Sequence, residues 1–132
     1  MRRLTVLVAF LIAGAAAAPA HAARLVRYDV GGGIAGLSER LVVERDGRAH
    51  QTDSRGDEHR FRLSPRGLRA LKRDLKAARF PSLKRSYRPD RLVLDGTTRL
   101  VRHRGRTVSV STGADVPVRL QRLLRRLGRL LR

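Results

Sequence analysis

Three histidines follow residue 22, at His50, His59 and His103, and they are the first place to look for metal or general-base chemistry. His50 and His59 lie nine positions apart in a polar stretch, with no HExxH or other close ligand spacing, so solvated surface side chains are expected. Ser109 and Ser111 fall on a strand-like run, with no GxSxG elbow and no evident base partner. Asp90 and Asp95 are a candidate carboxylate pair near one loop, but turn formation accounts for both more simply. The chain has no cysteine, which excludes disulfides, thiolate metal sites and cysteine nucleophiles. The expectation is a protein that is not an enzyme and that needs no metal or cofactor.

Two segments suggest binding rather than catalysis. The first is Gly31-Gly32-Gly33-Ile34-Ala35-Gly36 followed by Leu37. It lacks the Lys-Ser/Thr of a phosphate loop and leads into a strand instead of a helix N-terminus, which argues against nucleotide binding. Two readings of it stand. It is a wide hairpin connection with Ile34 tucked under a sheet, or an adaptable loop that offers an exposed Ile34 to a partner's pocket. The second segment, His103-Arg104-Gly105-Arg106, is a basic hairpin turn suited to an acidic surface.

The elements that must position these segments can be read from periodicity. Residues 24–30 and 39–44 alternate as strands, and Asp46-Gly47 marks a turn. Residues 48–60 are almost wholly polar and read as an exposed loop or a weak edge strand. Ser64 as N-cap, Pro65 at the first helical position and a Leu63/Leu68 staple start a helix. Leu68, Leu71, Leu75 and Ala78 carry its apolar face, and Phe80-Pro81 ends it. Strand-like runs follow at 92–94, 98–101 and 107–111. A last helix is expected to be capped by Asp115, with Pro117 in its first turn. Leu120, Leu123, Leu124, Leu127, Leu130 and Leu131 form one face of that helix, opposite an arginine face. The reading is a single α+β domain with an antiparallel sheet of about four strands and two helices packed on one face.

The 132 residues include 30 Lys+Arg against 11 Asp+Glu, a net charge of +19. Residues 1–22 read as a secretory signal peptide: Arg2-Arg3, an uncharged run over 4–18, then Ala20-His21-Ala22. Removing them leaves a domain of residues 23–132 with 28 basic and 11 acidic side chains, a net charge of +17. No transmembrane helix is expected after cleavage, because the apolar run is shorter than the ~20 residues of a span. The expected location is periplasmic or extracellular. Scarce aromatic residues and the lack of a recognisable motif argue against a nucleic-acid partner.

Val26-Arg27-Tyr28 leading into Gly32-Gly33-Ile34-Ala35-Gly36 and then Leu41-Val42-Val43 resembles the opening of the emfourin family. The likeness continues at Leu63-Ser64, at Leu68, Leu71 and Leu75, at Ala78-Arg79-Phe80 and at Asp95-Gly96-Thr97. It ends with Arg106-Thr107-Val108 and Val116-Pro117 before the last leucines, and so covers most of residues 25–131. The chain differs in its leader, its charge, its longer 48–60 segment, and an Ile34 where an aromatic is more usual. The resemblance implies a protein inhibitor of thermolysin-like zinc metallopeptidases that occludes the cleft. Gly32, Gly33, Ile34, Ala35, Gly36 and Leu37 are the first candidate contact, and His103, Arg104 and Arg106 the second. The rival reading is a basic envelope protein that binds an anionic polymer or membrane surface through the arginine face of 119–132.

Overall fold

The computed structural model describes residues 23–131, and the expected signal peptide lies outside them. The described chain is α+β, with two helices and a seven-stranded mixed sheet. Its strands are β1 (Arg24–Gly32), β2 (Leu37–Glu44), β3 (Arg48–Asp53), β4 (Glu58–Arg62), β5 (Ser86–Tyr87), β6 (Thr97–His103) and β7 (Arg106–Ser111). The helices are α1 (Pro65–Ala78) and α2 (Val118–Leu130), with a 3-10 turn at Phe80–Ser82. The strand order is β4-β3-β2-β1-β6-β7-β5.

Alternation decides which face of the sheet is buried. Tyr28 sits between Leu41 on β2 and Val101 on β6, and Val101 in turn faces Val108. These side chains, with Val26, Val43 and Val110, join Leu71, Leu75 and Ala78 of α1 and Leu120, Leu123, Leu124 and Leu127 of α2 in one core. Both helices thus bury their leucines against the same side. Arg27, Asp29, Arg40, Leu100 and Arg102 hold the alternate positions on the other face, with Asp29 bound by Arg27 (2.7 Å) and Arg40 (2.6 Å). Burial pushes the Asp29 carboxyl up, but the hydrogen bonds and charges of the two arginines together hold it below its ordinary value. Asp74 on α1 is buried and pairs with Arg126 on α2, tying the helices together.

The sheet differs from the expected four antiparallel strands in three places. Residues 48–60 are not a loop but contribute most of a β3–β4 hairpin. Of the two readings of this segment the edge strand is the nearer one, with β4 at the edge of the sheet. The hairpin's turn is closed by Asp53, whose Oδ1 accepts from the backbone N–H of Arg55 and of Asp57, both at 2.9 Å. Ala49 and Phe61 pair on the core side; the other positions stay polar, as suits an outer strand. The two-residue β5 runs parallel to β7, so the sheet is mixed. Residues 92–94 form no strand.

Helix α1 starts as its sequence predicts, with Ser64 Oγ accepting from Gly67 N at 3.0 Å. Helix α2 does not: Pro117 occupies the cap position and Asp115 makes no cap bond. A residue before proline is driven to extended backbone, so Val116 cannot begin a helix and the first turn forms beyond Pro117.

Candidate functional site

The chain between β1 and β2 is a tight turn over residues 33–36, closed by a hydrogen bond from Gly36 N to Gly33 O (3.1 Å). Glycine is required by the backbone here. Gly32, Gly33 and Gly36 have φ of 112°, 78° and 59°, values that side chains disfavour. Gly32 is also limited by space, since a Cβ on it would meet the Gly96 carbonyl oxygen at 3.0 Å. Between these glycines Ile34 projects into solvent at 87% exposure, and Leu37 at the start of β2 is half exposed. Ile34 is therefore exposed and not tucked under the sheet, on a turn that is bonded rather than loose.

The turn does not stand alone. Gly33 N donates to Gly96 O (3.3 Å), joining it to the loop that precedes β6. That loop is itself closed by Gly96 N to Val93 O (3.4 Å), with Asp95 at a φ of 62°. Thr97 and Thr112 lock its base: Thr97 N donates to Thr112 Oγ1 at 2.9 Å, and Thr112 Oγ1 donates to Thr97 O at 3.0 Å. The loop carries Leu92 at 90% and Leu94 at 82% exposure. One end of the sheet thus presents Ile34, Leu37, Leu92 and Leu94 from two bonded loops. Sequence reading missed Leu92 and Leu94 because three adjacent apolar residues look like a strand. The flanking Asp90 and Asp95-Gly96, and the lack of alternation, are the signals that point to a loop.

The second candidate contact lies at the opposite end. Strand β6 pairs Thr97 with Gly32 at the tip and reaches His103 six residues later, about 20 Å away at the rise of a strand. His103 donates from Nδ1 to the Leu25 carbonyl (2.8 Å) and packs at a tilt on Phe80, with ring centroids 5.3 Å apart. Burial lowers its pKa below 6.5, helped by the charges of Arg104 and Arg45, although the Leu25 bond works the other way. Arg106 donates from Nη2 to Leu83 O at 2.6 Å, and Arg104 is an exposed turn residue with a φ of 50°. Gly32 to Leu37 and His103 to Arg106 therefore lie at opposite ends of β6 and form two separate patches.

The remaining sequence candidates are dispersed. His50 faces the open side of the β3–β4 hairpin beside Glu58 (3.5 Å), whereas His59 alternates to the other side and stacks on Phe61. Asp90 and Asp95 lie in the loop before β6, and Ser109 and Ser111 in β7 on the open face. Among the described residues, no group of three His, Asp or Glu side chains is placed to hold a metal ion. No helix among them is long and apolar enough to cross a membrane. No protein-family model matches the chain. No curated protein matches it in sequence.

Proposed function

We propose that the protein is an exported inhibitor of a thermolysin-like zinc metallopeptidase, which it blocks by seating the apolar tip of the β1–β2 turn in the active-site cleft. The single observation that carries this reading is the 87% exposed Ile34 on a glycine turn bonded to a second loop. An exposed aliphatic side chain on a constrained turn suits a pocket for bulky apolar residues, because little ordering entropy remains to be lost on binding. The emfourin resemblance of residues 25–131 supplies the class of enzyme. The tip has no cluster of metal ligands, so the block is steric and apolar, without capture of the zinc. Leu92 and Leu94 on the neighbouring loop extend the contact, and the large positive charge speeds encounter with an acidic cleft.

The test is inhibition of a thermolysin-type peptidase by protein expressed from the full-length gene, with a serine peptidase alongside. Apolar anchoring predicts inhibition of the first enzyme alone, largely kept in high salt, where Coulomb attraction is screened. Binding to an envelope polyanion, the rival reading, collapses under the same salt. Absence of inhibition at any salt concentration refutes the proposal.

A further inference from the structure

The end of the sheet away from the tip has a different chemistry. A cavity of about 570 Å³ opens beside α1, the 3-10 turn and the β6–β7 turn. Arg45, Lys72, Lys76, Arg79, Arg104 and Arg106 line it, and no carboxylate does. None of these six takes part in a salt bridge among the described residues. The carbonyl end of α1 favours cations in its own last turn, which accounts for Lys76. It does not account for Arg45 on the β2–β3 turn or Arg104 on the β6–β7 turn, which separate elements bring to the same hollow. Arg106 Nε is shielded from solvent and has no hydrogen-bond acceptor among the described residues. Leu25, Leu75, Phe80 and Pro81 supply apolar lining beneath the charges.

We propose that this cavity binds a multiply phosphorylated anion with an apolar portion, its phosphate oxygens on the arginine and lysine rim and its apolar part on Leu25, Leu75, Phe80 and Pro81. Most cations of so basic a chain lack a salt bridge among the described residues, but six that converge from separate elements on one hollow without a carboxylate suit a ligand of high charge. A single carboxylate leaves most of them unneutralised. Guanidinium groups bind phosphate oxygens in pairs, and the volume lies within the ordinary range for small-ligand sites. A soluble organic diphosphate and a phosphorylated lipid headgroup share this chemistry. Neither depends on the apolar tip at the other end of the sheet.

The test is calorimetric titration of protein expressed from the full-length gene with inorganic pyrophosphate and with geranyl pyrophosphate. Phosphatidylcholine vesicles, with and without phosphatidic acid, form a separate arm. Saturable binding is expected, tighter for the geranyl compound because of the apolar lining. Lys72→Glu/Arg104→Glu changes two exposed residues and should weaken binding about tenfold or more, since hydrogen bonds to charged groups are involved. Arg122→Glu/Arg125→Glu makes the same change of charge on the outer face of α2 and should cost less than about twofold. Vesicle binding lost in the first variant and kept in the second assigns the site to a lipid headgroup; its absence, with diphosphate bound, assigns it to a soluble ligand. Failure of both diphosphates to bind saturably, or equal losses in the two variants, overturns the proposal. So does geranyl pyrophosphate that saturates without moving the NMR signals of His103, which lines the cavity.

Discussion

Truncating Ile34 separates binding from stability more cleanly than any other change at the tip. At 87% exposure its side chain adds almost nothing to the core, so Ile34→Ala should shift folding stability by no more than about 0.5 kcal/mol. The same side chain, buried in a partner's pocket, loses three carbons on truncation. At roughly 0.8 kcal/mol per carbon that is about 2.4 kcal/mol, or roughly a 50-fold weaker inhibition constant at 1.4 kcal/mol per decade. Ile34→Asp should exceed this, because an unpaired carboxylate is then forced into an apolar site. The assay is the inhibition constant against a thermolysin-type peptidase, with a circular dichroism melt on the same preparation. Folded Ile34→Ala and Ile34→Asp proteins that inhibit as well as the parent refute the tip as anchor. A collapse in melting temperature refutes the exposed placement of Ile34 itself.

Three further outcomes are expected. Gly32→Ala places a methyl group 3.0 Å from the Gly96 carbonyl oxygen at a φ of 112°; it should cost roughly 1–3 kcal/mol, and an unchanged melt contradicts the bracing described. Leu124, 3% exposed on α2, should lose roughly 2–5 kcal/mol on change to Ala if its face is core; a variant as stable as the parent in denaturant titration contradicts that. His103, with its folded pKa held below 6.5, should make stability fall as pH drops below that value. The unfolded imidazole takes up its proton first, and the loss continues down through the folded pKa. Melts of the parent and of His103→Gln from neutral pH downward should diverge over that interval. Parallel curves, or an NMR midpoint at or above 6.5, refute the assignment.

What could be read from the sequence was local chemistry; what escaped it was set by distant partners. Ser64-Pro65 with Leu63 and Leu68 predicts the start of α1 because cap, proline and staple act within one turn. The leucines of α2 predict its buried face for the same reason. Strands β3 and β4 are only weakly signalled, as one possible edge strand in polar sequence, since an outer hairpin is held by backbone bonds and needs little more than Ala49 and Phe61 against the core. Residues 92–94 mislead in the other direction. They lie before β6, whose pairing with β1 begins at Thr97 opposite Gly32, so they have no rung to join. The glycine turn was recognisable as a turn. How the turn is held depends on Gly32 passing close to the Gly96 carbonyl and on the Gly33–Gly96 hydrogen bond, contacts across more than 60 positions that local pattern does not contain. The wide separation of the two candidate contacts follows from strand register and is equally invisible in composition.

Glycine-rich segments are usually associated with mobility, and a mobile loop makes a good peptidase substrate rather than an inhibitor. The bonding of the tip gives this run the constraint that the proposed inhibition needs. A substrate must lie extended so that its backbone pairs along the cleft. Residues 33–36 are instead closed on themselves by Gly36 N to Gly33 O (3.1 Å) and fixed sideways by Gly33 N to Gly96 O (3.3 Å). Opening the turn for cleavage means breaking both bonds and releasing the second loop, whose base is clamped by Thr97 and Thr112. The glycines serve here to reach backbone angles and a close approach that other residues cannot, so the segment gains constraint from them. An apolar side chain held this way can enter a pocket at small entropic cost while the scissile geometry stays out of reach, which is the combination that occlusion without turnover requires.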